Sequence, residues 1–323
     1  MAGSLEGVVC GNIGVGAVGA YWTRFQIKEG ADVLVCDKNK QRARQVAEDY
    51  GATAVDLDTL LKNSDWTSVA VLPLKEVFEV MAQIGERSHL LKPCSFLMDH
   101  SGVKTGTKST LDSLLKSTGR QVDTFTTALR KAVEGRDDVE AGTIHLAFRP
   151  DVELEDQNVY ASQVKPAEGG LWMPRVTGLL ASHGANVYQM TPDQQDMVTF
   201  RHQMLIWLPL LAALDAIRQS GSDMSFGEME LFTTKLSKPF FDLMKRMVSG
   251  NWRVYWDTMA HHPFAVEAAT LLEQSMHELR DKLVQGEDAG TNFEVMYSHL
   301  KAIAESSSPE RKTGKPVMVE IYY

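Results

Sequence analysis

Short apolar runs alternate with amphipathic stretches over the first 190 or so residues, and apolar positions at helical spacing take over afterwards. Val8-Val9-Cys10, Val33 to Cys36, Thr53-Ala54-Val55, Val69 to Leu72 and Phe96-Leu97-Met98 read as buried strands. Helices fit between them: one through Tyr21, Phe25 and Ile27 that stops near Gly30, then Asp58 to Lys62 and Glu76 to Gly85. Thr143 to Ala147, Asn158 to Ala161 and Ala185 to Met190 are further strands, the last preceded by a helix from Trp172 to His183. Such alternation predicts an α/β fold with a doubly wound parallel sheet, which binds ligands at the carboxyl ends of its strands. Beyond Met190 the spacing predicts helices over 193–220, 228–249, 254–261 and 265–284, with Leu272, Met276, Leu279 and Leu283 on one face. The chain therefore divides into an α/β domain, 1–191, and an all-helical domain, 192–323, whose "ESSSPERKTGKP" stretch is a polar tail.

Glycines refine the first domain. Gly14-Val15-Gly16-Ala17-Val18-Gly19 lies between a strand and a helix, and the next strand ends in Asp37, 18 residues beyond Gly19. In a Rossmann-type unit the first glycine makes the turn and the second lets the backbone approach a pyrophosphate. The third lets helix and strand pack closely, and the helix N-terminus stabilises the anion. These six residues and Asp37 are thus the expected dinucleotide site, with Leu72 and Pro73 after the fourth strand. A carboxylate at Asp37 bonds a ribose hydroxyl and repels a 2′-phosphate, so NAD is favoured over NADP; Lys38, Lys40 and Arg42 nearby oppose that preference.

Composition narrows the partners. A net charge of −9 argues against nucleic acid or an anionic membrane surface. Cys10, Cys36 and Cys94 lack metal-ligand spacing and are too few for a disulfide framework, so a reducing cytoplasm is expected. The longest apolar run, Met204 to Ile217, is interrupted by Asp215, is too short to span a bilayer and reads as a buried or interface helix. His261-His262 has no third ligand at metal spacing, and Trp252, Tyr255 and Trp256 read as core or dimer-interface residues.

"DHSGVKTG" at 99–106, "GTIHLAFRP" at 142–150 and "LSKPFFDLMKRMVSGNWRVYWDTM" at 236–259 follow the glycine motif in an order that resembles the prephenate and arogenate dehydrogenases of tyrosine biosynthesis. The resemblance spans nearly the full length at low similarity. It implies NAD-linked oxidative decarboxylation of a cyclohexadienol by a homodimer joined through its helical domains. It also places His145 at the family's catalytic histidine, as acceptor or base for the 4-hydroxyl, with an imidazole pKa near working pH. Ser101 replaces the family's site serine if the loop shifts by one residue, because Gly102 holds the serine's own place. Lys104 bonds main chain, cofactor or substrate, or is a solvated lysine at a helix start.

Substrate contacts depart further from the resemblance. Asp242 stands where the family carries the arginine that clamps a carboxylate. Arg149, Arg246 and Lys245 are the candidate replacements, and His202 enters the substrate pocket only if one helical turn is deleted. The segment Thr105 to Ala141 is longer than the family's connection and suits a cover or a partner site. Three other readings stay open: a relative acting on a modified cyclohexadiene, a β-hydroxyacid dehydrogenase or imine reductase-like enzyme using Lys165 or Asp196, and an NAD-sensing regulator without turnover.

Overall fold

A computed structural model describes residues 3–104, 125–221, 225–285, 290–305 and 317–318. Nine strands form one sheet in the order β3-β2-β1-β4-β5-β6-β7-β8-β9. These are β1 Val9–Ile13, β2 Asp32–Cys36, β3 Thr53–Ala54, β4 Trp66–Val69, β5 Phe96–Asp99, β6 Glu140–Leu146, β7 Asn158–Lys165, β8 Asn186–Gln189 and β9 Val317–Met318. Six helices flank it: α1 Ala17–Lys28, α2 Lys40–Tyr50, α3 Leu57–Asn63, α4 Leu74–Glu86, α5 Phe125–Ala132 and α6 Trp172–Ser182. One buried cluster joins the sheet to α1, α2 and α6 through residues such as Trp22, Val46 and Leu180; another joins it to α3, α4 and α5 through Leu61, Met81 and Leu129. The sheet is covered on both sides, as double winding requires.

Its parallel character has one exception. β6 and β7 pair antiparallel, with His145 opposite Tyr160. Residues 147–157 contain no helix and are too short for a crossover, so the chain returns beside β6 in a hairpin. β4 also lies three residues earlier than its most apolar run suggests, so Leu72 stands 45% exposed beyond the strand end.

The helices after β8 are α7 Pro192–Gln219, α8 Phe226–Leu231, α9 Lys238–Ser249, α10 Trp252–His261, α11 Ala265–Gln285 and α12 Gly290–Glu305. The expected helix over 228–249 is two, broken at 232–237, and α12 was not anticipated. α7 is the one helix among the described residues long and apolar enough to cross a membrane by length and composition, although the Met204–Ile217 run alone is too short; α7 matches the helix expected over 193–220. Two compact units result. The first holds the residues up to Met197, Arg253–Pro263 and β9; the second holds Val198–Trp252 and the helices after Phe264. The boundary thus falls at Val198 rather than 192. Most of α10 belongs to the first unit, where Asp257, Thr258 and His262 are buried and His261 meets Phe125 edge to face. Of the Thr105–Ala141 segment, 105–124 lie outside the described residues; α5 and the start of β6 make up the ordered remainder.

Candidate active site

The glycine turn is built for close approach. Gly14 has φ +82°, and a Cβ there would meet the Ala70 carbonyl oxygen at 2.6 Å. At Gly19 a Cβ would lie 1.9 Å from the Gly14 carbonyl oxygen, so α1 can start this close to β1 only with glycine. Gly16 differs: its Cβ would meet nothing within 4 Å. The space at Gly16 faces outward at the N-cap of α1, whose first turn carries no acidic residue. Ala17 and Val18, also expected at the cofactor, form that first turn.

Asp37 is buried at the end of β2 and accepts from the Val15 N–H at 2.9 Å and the Asn39 N–H at 2.8 Å. Arg42 lies 3.6 Å from it, while Lys38 pairs with Glu76. Val71 and Ala70 pack on Gly14, which carries the loop to exposed Leu72 and to Pro73, the N-cap of α4.

At the same edge of the sheet β5 and β6 end in two imidazoles. His145 packs against Tyr160 edge to face, with ring centroids 5.8 Å apart. Its Nδ1 is buried without a hydrogen-bond partner among the described residues, and its Nε2 lies toward Gly102, where a Cβ would stand 3.3 Å from it. Burial, reinforced by Lys104 and His100, pushes its pKa down to about 3. The imidazole is therefore neutral throughout the working range, not poised near it. His100, which the sequence reading passed over, stacks on Trp22 and has its Nδ1 2.9 Å from the Ile144 carbonyl oxygen. Burial lowers it to about 4. A histidine next to an aspartate at a strand end was the only available signal.

One expectation needs correction, and another resolves to a single alternative. The loop does not shift to bring Ser101 to the imidazole. A Cβ at Gly102 would stand 3.3 Å from His145 Nε2, whereas the Ser101 hydroxyl donates to Asp99 and contacts the Val103 carbonyl oxygen at 3.3 Å. Of the alternatives for Lys104 the main-chain one holds, and its side chain is neither solvated nor open to substrate. It is 0% exposed, its ammonium bonds the Ser101 carbonyl and lies 3.3 Å from Asp99, and its N–H donates to Asp196 at 2.8 Å. Burial lowers the Lys104 pKa while the Asp99 carboxylate opposes the shift. Asp99, Ser101, Lys104 and Asp196 form an internal clamp on the loop. Asp196 thus takes part in the clamp, and Lys165 bonds the carbonyls of Arg136 and Val139.

The candidate cations differ in how free they are. Arg149, on the exposed loop after β6, makes a two-pronged pair with Asp151 at 3.0 and 2.7 Å. In the helical unit, Lys245 pairs with Glu230 and Asp242 pairs with Lys238 one turn away. Arg246 is exposed in the last turn of α9. Arg201 and His202 are exposed on a π-helical stretch, Phe200–Met204, inside α7. Such a stretch changes which residues face one side of a helix and often marks a functional place. Among the described residues no group of three or more His, Cys, Asp or Glu is arranged to hold a metal ion.

Comparison with known proteins bears on the fold and its first domain. The sequence model of the D-isomer specific 2-hydroxyacid dehydrogenase NAD-binding domain matches residues 1–85. No curated protein matches the sequence. Among solved structures, Aquifex aeolicus prephenate dehydrogenase in complex with hydroxyphenyl propionate and NAD+ superposes with a TM-score of 0.66 at 14% identity, covering 93% of this chain and 99% of that one. Synechocystis arogenate dehydrogenase gives 0.60 at 12% identity, with 91% and 99% covered. The chain shares the fold of these dehydrogenases: a Rossmann-type sheet followed by a helical region.

Proposed function

We propose that the chain is an NAD-dependent dehydrogenase that oxidises and decarboxylates prephenate or arogenate. The observation that carries this reading is His145, whose Nε2 faces side-chain-less Gly102 at the strand-end edge that also carries the glycine turn. The open face at Gly16, the unopposed N-terminus of α1 and the anchored Asp37 carboxylate fit NAD. NAD, when bound, supplies the hydride acceptor. His145 Nε2 accepts a hydrogen bond from the hydroxyl on the carbon that loses hydride, and this role requires the ring hydrogen on Nδ1. Ring carboxylate then departs as CO₂ and the ring becomes aromatic. A buried neutral imidazole suits an acceptor that never competes as a cation.

The same reading includes a homodimer formed through the helical unit. Leu231, Phe232, Leu236, Leu283 and Val284, all in the helical unit, are each at least 75% exposed, and such large apolar side chains are candidates for burial against a second copy. Light scattering on the purified protein tests it. Asp242 favours a second substrate reading, a cyclohexadiene lacking one carboxylate, because a carboxylate stands where an arginine was expected. The deciding experiment follows absorbance of reduced cofactor with NAD and prephenate, then arogenate. NAD binding without turnover of either would remove this reading in favour of a modified substrate or a sensor.

A further inference from the structure

The mechanism above uses one imidazole, and the fold buries a second beside it. His100 follows β5 directly and its ring lies on Trp22, centroids 5.0 Å apart and planes 31° from parallel. Trp22 belongs to α1, the helix whose N-terminus carries the cofactor turn. His100 Nδ1 meets two groups: the Ile144 carbonyl oxygen at 2.9 Å and the Trp22 Nε1 at 3.2 Å. One nitrogen cannot donate to the first and accept from the second. A carbonyl oxygen only accepts, and it is the nearer, so the ring hydrogen belongs on Nδ1. Ile144 is the residue before His145. Among the described residues no hydrogen bond orients His145: its Nδ1 is unpartnered and a bare Gly102 faces its Nε2. Its direction must come from the Tyr160 contact and from the backbone that carries it.

We infer that His100 is a positioning residue: by donating Nδ1–H to the Ile144 carbonyl while stacked on Trp22, it fixes the end of β6 and so aims the His145 imidazole. The inference rests on the proposed role of His145, but it makes a structural claim of its own. A strand end held from the cofactor helix ties the cofactor turn to the reacting nitrogen through two side chains.

His100→Phe keeps an aromatic ring on Trp22 and removes the donor; His100→Asn restores a donor near the Nδ1 position. Turnover should fall roughly tenfold in His100→Phe, with the Michaelis constant and NAD affinity changed by less than about twofold, and most of the loss should return in His100→Asn. Nitrogen-15 shifts of the parent should show the Nδ1–H tautomer at His100, and the His145 ring signals should shift or broaden in His100→Phe. An Nε2–H tautomer, parental turnover in His100→Phe, or a loss shared equally by NAD affinity would overturn the inference. If the parent turns over neither prephenate nor arogenate, the functional reading fails by itself. The tautomer and the His145 signals then still decide for or against His100.

Discussion

Gly102 stands opposite His145, and a Cβ on it would come within 3.3 Å of the imidazole Nε2. Glycine leaves that nitrogen open to a ligand where the resembling family carries a serine. Gly102→Val should therefore press on the imidazole and lower turnover by about one to two orders of magnitude, the equivalent of about 1–3 kcal/mol of crowding. NAD titration should give an unchanged affinity, because the glycine turn is untouched. Parental turnover in that variant would mean that substrate approaches His145 from elsewhere.

The glycine turn separates stability from binding. A methyl at Gly19 would collide with the Gly14 carbonyl oxygen at 1.9 Å, so Gly19→Ala should destabilise the protein by about 1–3 kcal/mol in urea unfolding. At Gly16 a side chain meets open space, so Gly16→Leu should unfold like the parent and lose NAD affinity at least roughly tenfold. Equal effects at the two positions would contradict the assignment of Gly16 to the pyrophosphate.

Cofactor choice follows from Asp37. Held by the Val15 and Asn39 N–H groups, its carboxylate cannot swing away from a 2′-phosphate, and Lys38 is engaged by Glu76. NAD should bind at least roughly tenfold more tightly than NADP, about 1.4 kcal/mol. Asp37→Ser should narrow the gap, with Arg42 left to meet the phosphate. Equal affinities in the parent would show that Arg42 already outweighs Asp37.

Much of this was legible in the sequence. The βαβ unit, its glycines and Asp37 are a local pattern in which each residue type answers one backbone or ligand demand, so they could be read without knowing the rest. β4 misled because Trp66, Thr67 and Ser68 are buried in the sheet despite their polar atoms, while the more apolar Val69 to Leu72 run continues past the strand end. Ser101 and Lys104 misled for another reason. Their types suit a site, but Asp99 and Asp196, the latter 92 residues further along the chain, draw them inward. The antiparallel return of β7 and the stacking of His100 on Trp22 likewise depend on distant pairing that periodicity does not encode.

Acid should weaken the fold before it silences His145. Burial holds His145 near 3 and both His100 and His262 near 4, below the ordinary histidine value of about 6.5. Between those values and about 6.5 the unfolded chain binds protons that the folded chain does not. Stability from these groups is therefore fully present above about pH 6.5 and is lost as pH falls toward 4. Thermal midpoints should drop across that window, and His262→Gln should flatten the slope. Turnover should show no acid limb near 6.5 from His145. Such a limb, abolished in His145→Asn, would mean that the imidazole titrates with its ordinary pKa.

On the proposed reading the substrate carries carboxylates that need a cation, because a carboxylate desolvated without a partner costs several kcal/mol. Asp242 cannot serve, and its pairing with Lys238 explains how α9 accommodates it. Lys245 is held by Glu230. Arg149 follows His145 by four residues, and its one partner among the described residues, Asp151, holds it in an exposed pair worth at most about 1 kcal/mol, so a ligand carboxylate can displace it. Arg149→Ala should raise the Michaelis constant at least roughly tenfold with turnover at saturation little changed, and Asp151→Asn should lower it by freeing the guanidinium. Arg246→Ala should do less. If instead Arg246→Ala abolishes substrate binding while Arg149→Ala is silent, the clamp lies on α9, one helical turn beyond Asp242. Should neither matter, and should Asp242→Arg create activity on prephenate, the natural substrate lacks the carboxylate that this arginine would hold.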